Sequence, residues 1–213
     1  MPQQPDLELN KGDAAAALTP AARRLHLAVL ETFAASGNAP SRAATEQVAR
    51  DLGADPAPLI AELADRDVVA FGEDGEVRAA YPFSPAPTAH RVTWEGGPVG
   101  YAMCAIDALG MSAMLGRPVT ITTAEPDTGT PITVHVDGDT ATWSPDTAVV
   151  YAGATADVCC PSVDSTCGSI NFFTTPEAAR AWAERHPEAP GVVLDQTRAL
   201  RDGITEFGSL MTA

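Results

Sequence analysis

Apolar residues recur at helical spacing in the first third of the chain and at strand spacing through much of the rest. Leu25, Leu27, Val29, Leu30 and Phe33 give one apolar side to a segment that opens on Thr19-Pro20 and stops at Ser36-Gly37-Asn38. Thr as N-cap and Pro at the first helical position predict a helix over 21–35. A second helix is expected over 41–52, with Ser41 as its cap, and a third over 55–64. Residues 68–71 and 76–80, joined by Gly72-Glu73-Asp74-Gly75, read as a hairpin whose glycines permit the turn. Three helices and a hairpin in that order describe a winged helix-turn-helix.

The proline-rich run over 81–87 cannot be helical throughout and marks the best domain boundary. Residues 90–94 and 99–101 form a short predicted hairpin that feeds an apolar helix, which starts at 101 and ends near 115 because Gly116 and Pro118 stop it. Strand signals follow at 119–123, 132–136, 140–143, 148–152, 168–173 and 192–194. Along 132–136 the period of two points Ile132, Val134 and Val136 to the core and His135 to solvent. Thr175-Pro176 starts a helix over 176–186, and a closing helix over 196–211 is interrupted at Gly203 or Gly208. Tight turns between successive short strands argue an antiparallel sheet. The expected fold is therefore α+β: a disordered lead-in over 1–18, an N-terminal winged-helix-like three-helix domain over 19–82, and a mixed, mostly antiparallel β-sheet domain with flanking helices over 88–213.

Charge narrows the function classes. The chain carries 28 acids against 13 bases, a net charge of −15 spread over both halves. Such a surface repels phosphate backbones and anionic lipid. The third helix and its end offer Arg66 alone against Asp55, Glu62 and Asp65, whereas a recognition helix presents Lys, Arg, Asn or Gln to DNA. The N-terminal domain thus reads as a platform, with no nucleic acid partner. No uncharged stretch approaches the ~20 residues a membrane helix needs. Residues 1–12 are polar and acidic and lack the order of a signal peptide, so a cytoplasmic protein with reduced thiols is expected. No Gly-rich phosphate loop, Gly-x-Ser-x-Gly elbow or His-Glu-x-x-His site is present.

The chemistry-bearing residues are Cys104, Asp107 and Cys167, with an adjacent pair, Cys159-Cys160. At the start of a helix Cys104 meets unpaired N–H groups and the positive end of the dipole, which favour its thiolate. A cysteine in an Ala/Met/Leu-rich helix is also a common core residue. Asp107, out of pattern among Ile106, Ala108 and Leu109, needs a partner or must be kept protonated. A carboxyl placed that way can hold and deliver a proton. Adjacent cysteines point apart, so Cys159 and Cys160 do not make a structural zinc site; beside Cys167 they could relay a thiophilic metal.

The run Tyr-Ala-x-Cys-Ala-[hydrophobic]-Asp-x-Leu over 101–109, followed by Cys167, Phe172-Phe173 and the Ala179 to Trp182 helix, resembles the alkylmercury (organomercurial) lyases. The resemblance extends from about residue 23 to 210 and is specific in these two segments. It implies that Cys104, Cys167 and Asp107 break a carbon–mercury bond, giving a hydrocarbon and Hg(II). Mercury would be held by Cys104, Cys167 and Asp107, with Cys159 and Cys160 as further soft ligands. No organic cofactor is implied; external thiols, or a mercuric reductase, would take the Hg(II). Met103 stands where the family often has Trp, and the Cys159-Cys160 pair is an addition. Ile106, Met111 and Phe172 are expected to wall the pocket. The alternative is a thiol-based metal-binding or metal-sensing winged-helix regulator without lyase activity.

Overall fold

The computed structural model describes residues 10–153, 162 and 167–211. Seven helices are found among them: α1 (Lys11–Ala16), α2 (Pro20–Ser36), α3 (Arg42–Asp51), α4 (Pro56–Asp65), α5 (Ala105–Leu115), α6 (Pro176–Arg185) and α7 (Gln196–Phe207). Side chains cap most of them as the sequence leads one to expect. Thr19 accepts from the Ala22 N–H at 3.4 Å, Ser41 from Ala44 at 3.2 Å, Thr175 from Ala178 at 3.1 Å and Asp195 from Arg198 at 2.8 Å. Each satisfies an N–H that the first helical turn leaves without a partner.

Eight strands form one antiparallel sheet in the order β1-β2-β3-β5-β4-β6-β7-β8. Their ranges are β1 (Val69–Phe71), β2 (Val77–Ala80), β3 (Phe83–Ser84), β4 (His90–Thr93), β5 (Val99–Ala102), β6 (Val119–Ala124), β7 (Pro131–Asp137) and β8 (Thr140–Ser144). Three more, β9 (Val149–Gly153), β10 (Ile170–Phe173) and β11 (Gly191–Leu194), form a second antiparallel sheet in the order β10-β9-β11. All the strand pairings described are antiparallel. The proline-rich run expected to separate domains carries β3, which pairs Phe83 with Ala102 of β5 and Ala80 of β2. Main-chain hydrogen bonds therefore pass unbroken from the hairpin into the sheet, and the N-terminal helices share a hydrophobic core with it.

One sequence expectation is corrected and one is narrowed. The lead-in is not disordered from residue 10 onward: Lys11–Ala16 is helical, and the Glu206 carboxylate from the far end of the chain accepts the Asn10 and Lys11 N–H groups at 3.1 and 2.9 Å. A polar, acidic segment is ordered here by a contact that local composition does not contain. The closing helix runs through Gly203 without interruption and stops at Gly208.

The reason for Gly203 lies in α5. Nine of its eleven residues are buried, so α5 is covered on nearly all sides, by β4 to β7, by β10 and by α7. A helix apolar all round belongs inside a protein. Where it crosses α7 two glycines meet: a Cβ on Gly110 would stand 2.4 Å from the Gly203 carbonyl oxygen, and one on Gly203 would stand 2.8 Å from the Gly110 nitrogen. The opposing atoms are backbone and cannot swing aside. Gly110→Ala would gain up to ~1 kcal/mol of helix propensity but force the helices apart, at a cost of up to about 3 kcal/mol. The variant is expected to be less stable by about 2 kcal/mol, read from its urea midpoint; a midpoint at or above wild type would mean that the crossing has slack.

β9 is buried along its whole length. Val150 and Ala152 face the main core; Val149 and Tyr151 face a second cluster with Phe173, Ala179 and Trp182 beneath α6. A strand covered on both faces needs an unbroken apolar run, as Val149-Val150-Tyr151-Ala152 provides. Strand β10 beside it leads out of the Cys167 turn.

Candidate active site

β5 ends at Ala102, and the chain turns into α5 with Cys104 in the N-cap position at extended dihedrals. Helix geometry therefore begins at Ala105, four residues later than the sequence predicts, because 101–102 are held in the sheet by Ser84 and His90 on neighbouring strands. The Cys104 sulfur accepts the Asp107 N–H at 3.4 Å. Cys-Ala-Ile-Asp thus takes the form of a capping box, with sulfur in place of a hydroxyl and Asp at the third helical position. Cys167 opens a single 3-10 turn, Cys167–Ser169, ahead of β10. Cys167 and the Asp107 carboxyl both act on the Cys104 thiol. The structure brings these three sequence-predicted residues together. Cys159 and Cys160 lie outside the described residues.

All three are buried, at 2 %, 4 % and 8 % exposure for Cys104, Asp107 and Cys167. Burial dominates the acidity of Cys104 and Asp107. The Asp107 carboxyl is pushed up to about 8, first by loss of hydration and only partly offset by its contact with Cys104 and by the Lys11 charge. Its Oδ2 is buried without a hydrogen-bond partner, the arrangement expected of an acid held protonated. Burial also pushes the Cys104 thiol well up, assisted by Cys167 and Asp107. This reverses the expectation of a stabilised thiolate. A helix N-terminus contributes about 0.3–1 kcal/mol, whereas burying an unpaired charge costs several. In the free site Cys104 is therefore a neutral thiol and Asp107 a neutral carboxylic acid at pH 7.

Among the described residues no group of three or more His, Cys, Asp or Glu side chains is arranged to hold a metal ion. Open clefts occur elsewhere: one of about 480 Å³ on the outer sheet face by Trp94 and His135, and one of about 580 Å³ between α3, α4 and the β1–β2 hairpin. Neither contains a cysteine.

Two charged residues near the site escape sequence reasoning. Lys11 and Glu206 both act on the Asp107 carboxyl, the first favouring its ionised form and the second opposing it. The one available signal was that Lys11 is the only lysine in the chain. His90, read simply as a strand residue, is buried against Phe172, with ring centroids 5.6 Å apart. Burial lowers it to about 4, so it is a neutral packing group.

A family model for alkylmercury lyase matches residues 83–208, more than half of the chain and the part that holds all three site residues. The chain belongs to the alkylmercury lyase family. Among relatives, the alkylmercury lyase of Streptomyces lividans is 29% identical over 161 residues, covering 76% of this chain and 74% of that one. The alkylmercury lyase of Staphylococcus epidermidis is 34% identical over 122 residues, 57% of this chain and 55% of its own. The crystal structure of the mercury-bound form of MerB2 superposes with a TM-score of 0.73 at 23% identity, over 95% of this chain and 97% of that chain. That likeness gives an alkylmercury lyase fold with mixed helices and antiparallel sheet. No helix among the described residues is long and apolar enough to cross a membrane.

Proposed function

We propose that this member of the alkylmercury lyase family cleaves the carbon–mercury bond of organomercurials by protonolysis, with Cys104, Cys167 and Asp107 as its catalytic residues. The observation that carries the reading is a buried carboxyl, pushed up to about 8 by loss of hydration, on the residue whose N–H the buried Cys104 sulfur accepts, with a second buried thiol, Cys167, acting on that sulfur. A carbon on mercury leaves poorly as an anion and readily once protonated, and mercury prefers sulfur. The reaction therefore needs two sulfurs and one proton donor.

The substrate arrives as R–Hg–SR′, the adduct of an external thiol. One protein thiol displaces R′SH and becomes Cys–S–HgR. The second thiol then binds mercury and gives its proton to Asp107 while Asp107 delivers its own to the carbon. The Hg–C bond breaks, R–H leaves, and Hg(II) stays on the two sulfurs. An external thiol or a mercuric reductase takes it away. Charge never builds up in the apolar site, because the first thiol's proton leaves with R′SH and the second's replaces the one that the carboxyl gives to carbon. Ile106, Met111 and Phe172, all buried, are suited to receive the hydrocarbon group.

Residues 88–213 carry this chemistry in our reading, and 19–82 serve as a winged-helix-like platform beneath it. Thiols kept reduced in a cytoplasm would suit the mechanism. The test is direct. Purified protein given phenylmercury and excess thiol is expected to release benzene in proportion to substrate consumed, measured by gas chromatography. Retention of mercury with no benzene would make the protein a metal binder instead.

A further inference from the structure

Lys11 is the single lysine of the chain and only 6 % exposed. A buried ammonium is tolerated only when its donors are well matched. Its Nζ donates to the Asp67 carbonyl at 2.7 Å, to the Asp67 carboxylate, and to the Ser162 hydroxyl at 3.0 Å, and lies 4.2 Å from the centre of the Tyr81 ring. Asp67 sits at φ 49°, a left-handed conformation uncommon for a residue with a side chain, and meets the same ammonium with both its carbonyl and its carboxylate. The carboxylate also accepts the Ser162 N–H at 3.2 Å and hydroxyl at 2.6 Å. At the other face of Lys11, its backbone N–H is held by Glu206. One residue thus joins α1, the approach to β1, the end of α7, and a point five residues before Cys167.

Resting on the lyase reading, we propose that Lys11 is a positioning residue for the reaction: with Asp67 it grips Ser162, and so sets the Cys167 sulfur against Cys104. Five residues reach at most roughly 17 Å, so fixing residue 162 restricts where the next cysteine can stand. Fold stability alone does not explain the arrangement. A buried ion pair is commonly no better for stability than apolar packing of the same volume. The bonds to Ser162 hold a point five residues before Cys167. The same cluster also brings the Lys11 and Glu206 charges to bear on Asp107.

The test compares wild type, Ser162→Ala, Lys11→Met and Lys11→Arg as full-length proteins. Two quantities are measured: peptide-resolved iodoacetamide labelling of Cys167 relative to Cys104, and benzene release from phenylmercury. In Ser162→Ala and Lys11→Met the labelling ratio is expected to rise about tenfold and kcat to fall about tenfold, with KM within about threefold, the pattern of lost alignment and not of lost binding. Lys11→Arg keeps a buried cation and should recover most of both. A purely structural role would raise labelling at both cysteines together and leave the ratio unchanged; that result, or an unchanged kcat in Ser162→Ala, overturns the proposal. Should Lys11→Met not fold, Ser162→Ala decides, since it leaves the Lys11–Asp67 pair in place. A wild type that releases no benzene counts against the lyase reading alone, and the labelling ratio still judges Lys11.

Discussion

Asp107→Asn is expected to bind phenylmercury within about threefold of wild type and to release benzene more than a hundredfold more slowly, a loss within the ~10²–10⁴ range of a positioned proton donor. The amide has the size of the carboxyl but cannot pass a proton at neutral pH. Since burial pushes the wild-type carboxyl up to about 8, its protonated form should dominate at pH 7 and be depleted above 8. Wild-type turnover should accordingly fall as pH rises through that value. Stability carries the same signature. With a folded-state value raised above the ordinary one near 4, the folded protein keeps a proton that the unfolded chain releases. Stability contributed by this group is fully present below about pH 4 and is lost as pH rises toward 8. Asp107→Asn should flatten that part of the melting-temperature profile. Brisk benzene release by the variant would show that the proton reaches carbon by another route.

Replacement of either sulfur should be as damaging. Cys104→Ser and Cys167→Ser are each expected to lower benzene release by more than about a hundredfold, because a hydroxyl of nearly the same volume is a poor ligand for a soft metal. The first comes with an internal control for folding. Cys104 occupies an N-cap and accepts the Asp107 N–H, a task for which serine is among the preferred residues. Its variant should therefore melt no lower than wild type while losing activity. Cys159→Ser and Cys160→Ser should cost far less. Near-normal turnover in either Cys104→Ser or Cys167→Ser would sink the two-sulfur mechanism, and a comparable loss at Cys159 or Cys160 would move the essential pair.

Features written in neighbouring residues were legible in the sequence. Thr19-Pro20, Ser41 and Thr175-Pro176 mark helix starts because a cap acts on N–H groups two or three residues away. The alternation of Ile132, Val134 and Val136 fixed the buried face of β7 for the same local reason. What the sequence hid depends on distant partners. Gly203 looks like a helix breaker until Gly110 is set against it, and Lys11 looks like solvent-exposed polarity until Asp67, Ser162 and Glu206 surround it. The acidity of Cys104 was misjudged on similar grounds. The helix dipole can be read from position, whereas the larger effect, exclusion of water by surrounding sheet and helices, cannot.

The Gly110–Gly203 crossing also sets an order of assembly. A chain made from its N-terminus exposes Cys104, Asp107 and Cys167 before residue 203 has left the ribosome. Until then the Gly110 face of α5 has nothing to rest against, and contacts between segments so far apart in sequence are slow to close. The nascent chain therefore carries its soft sulfurs unguarded from their emergence until residue 203 follows, and a protein built to take mercury is most open to it before it can act on it.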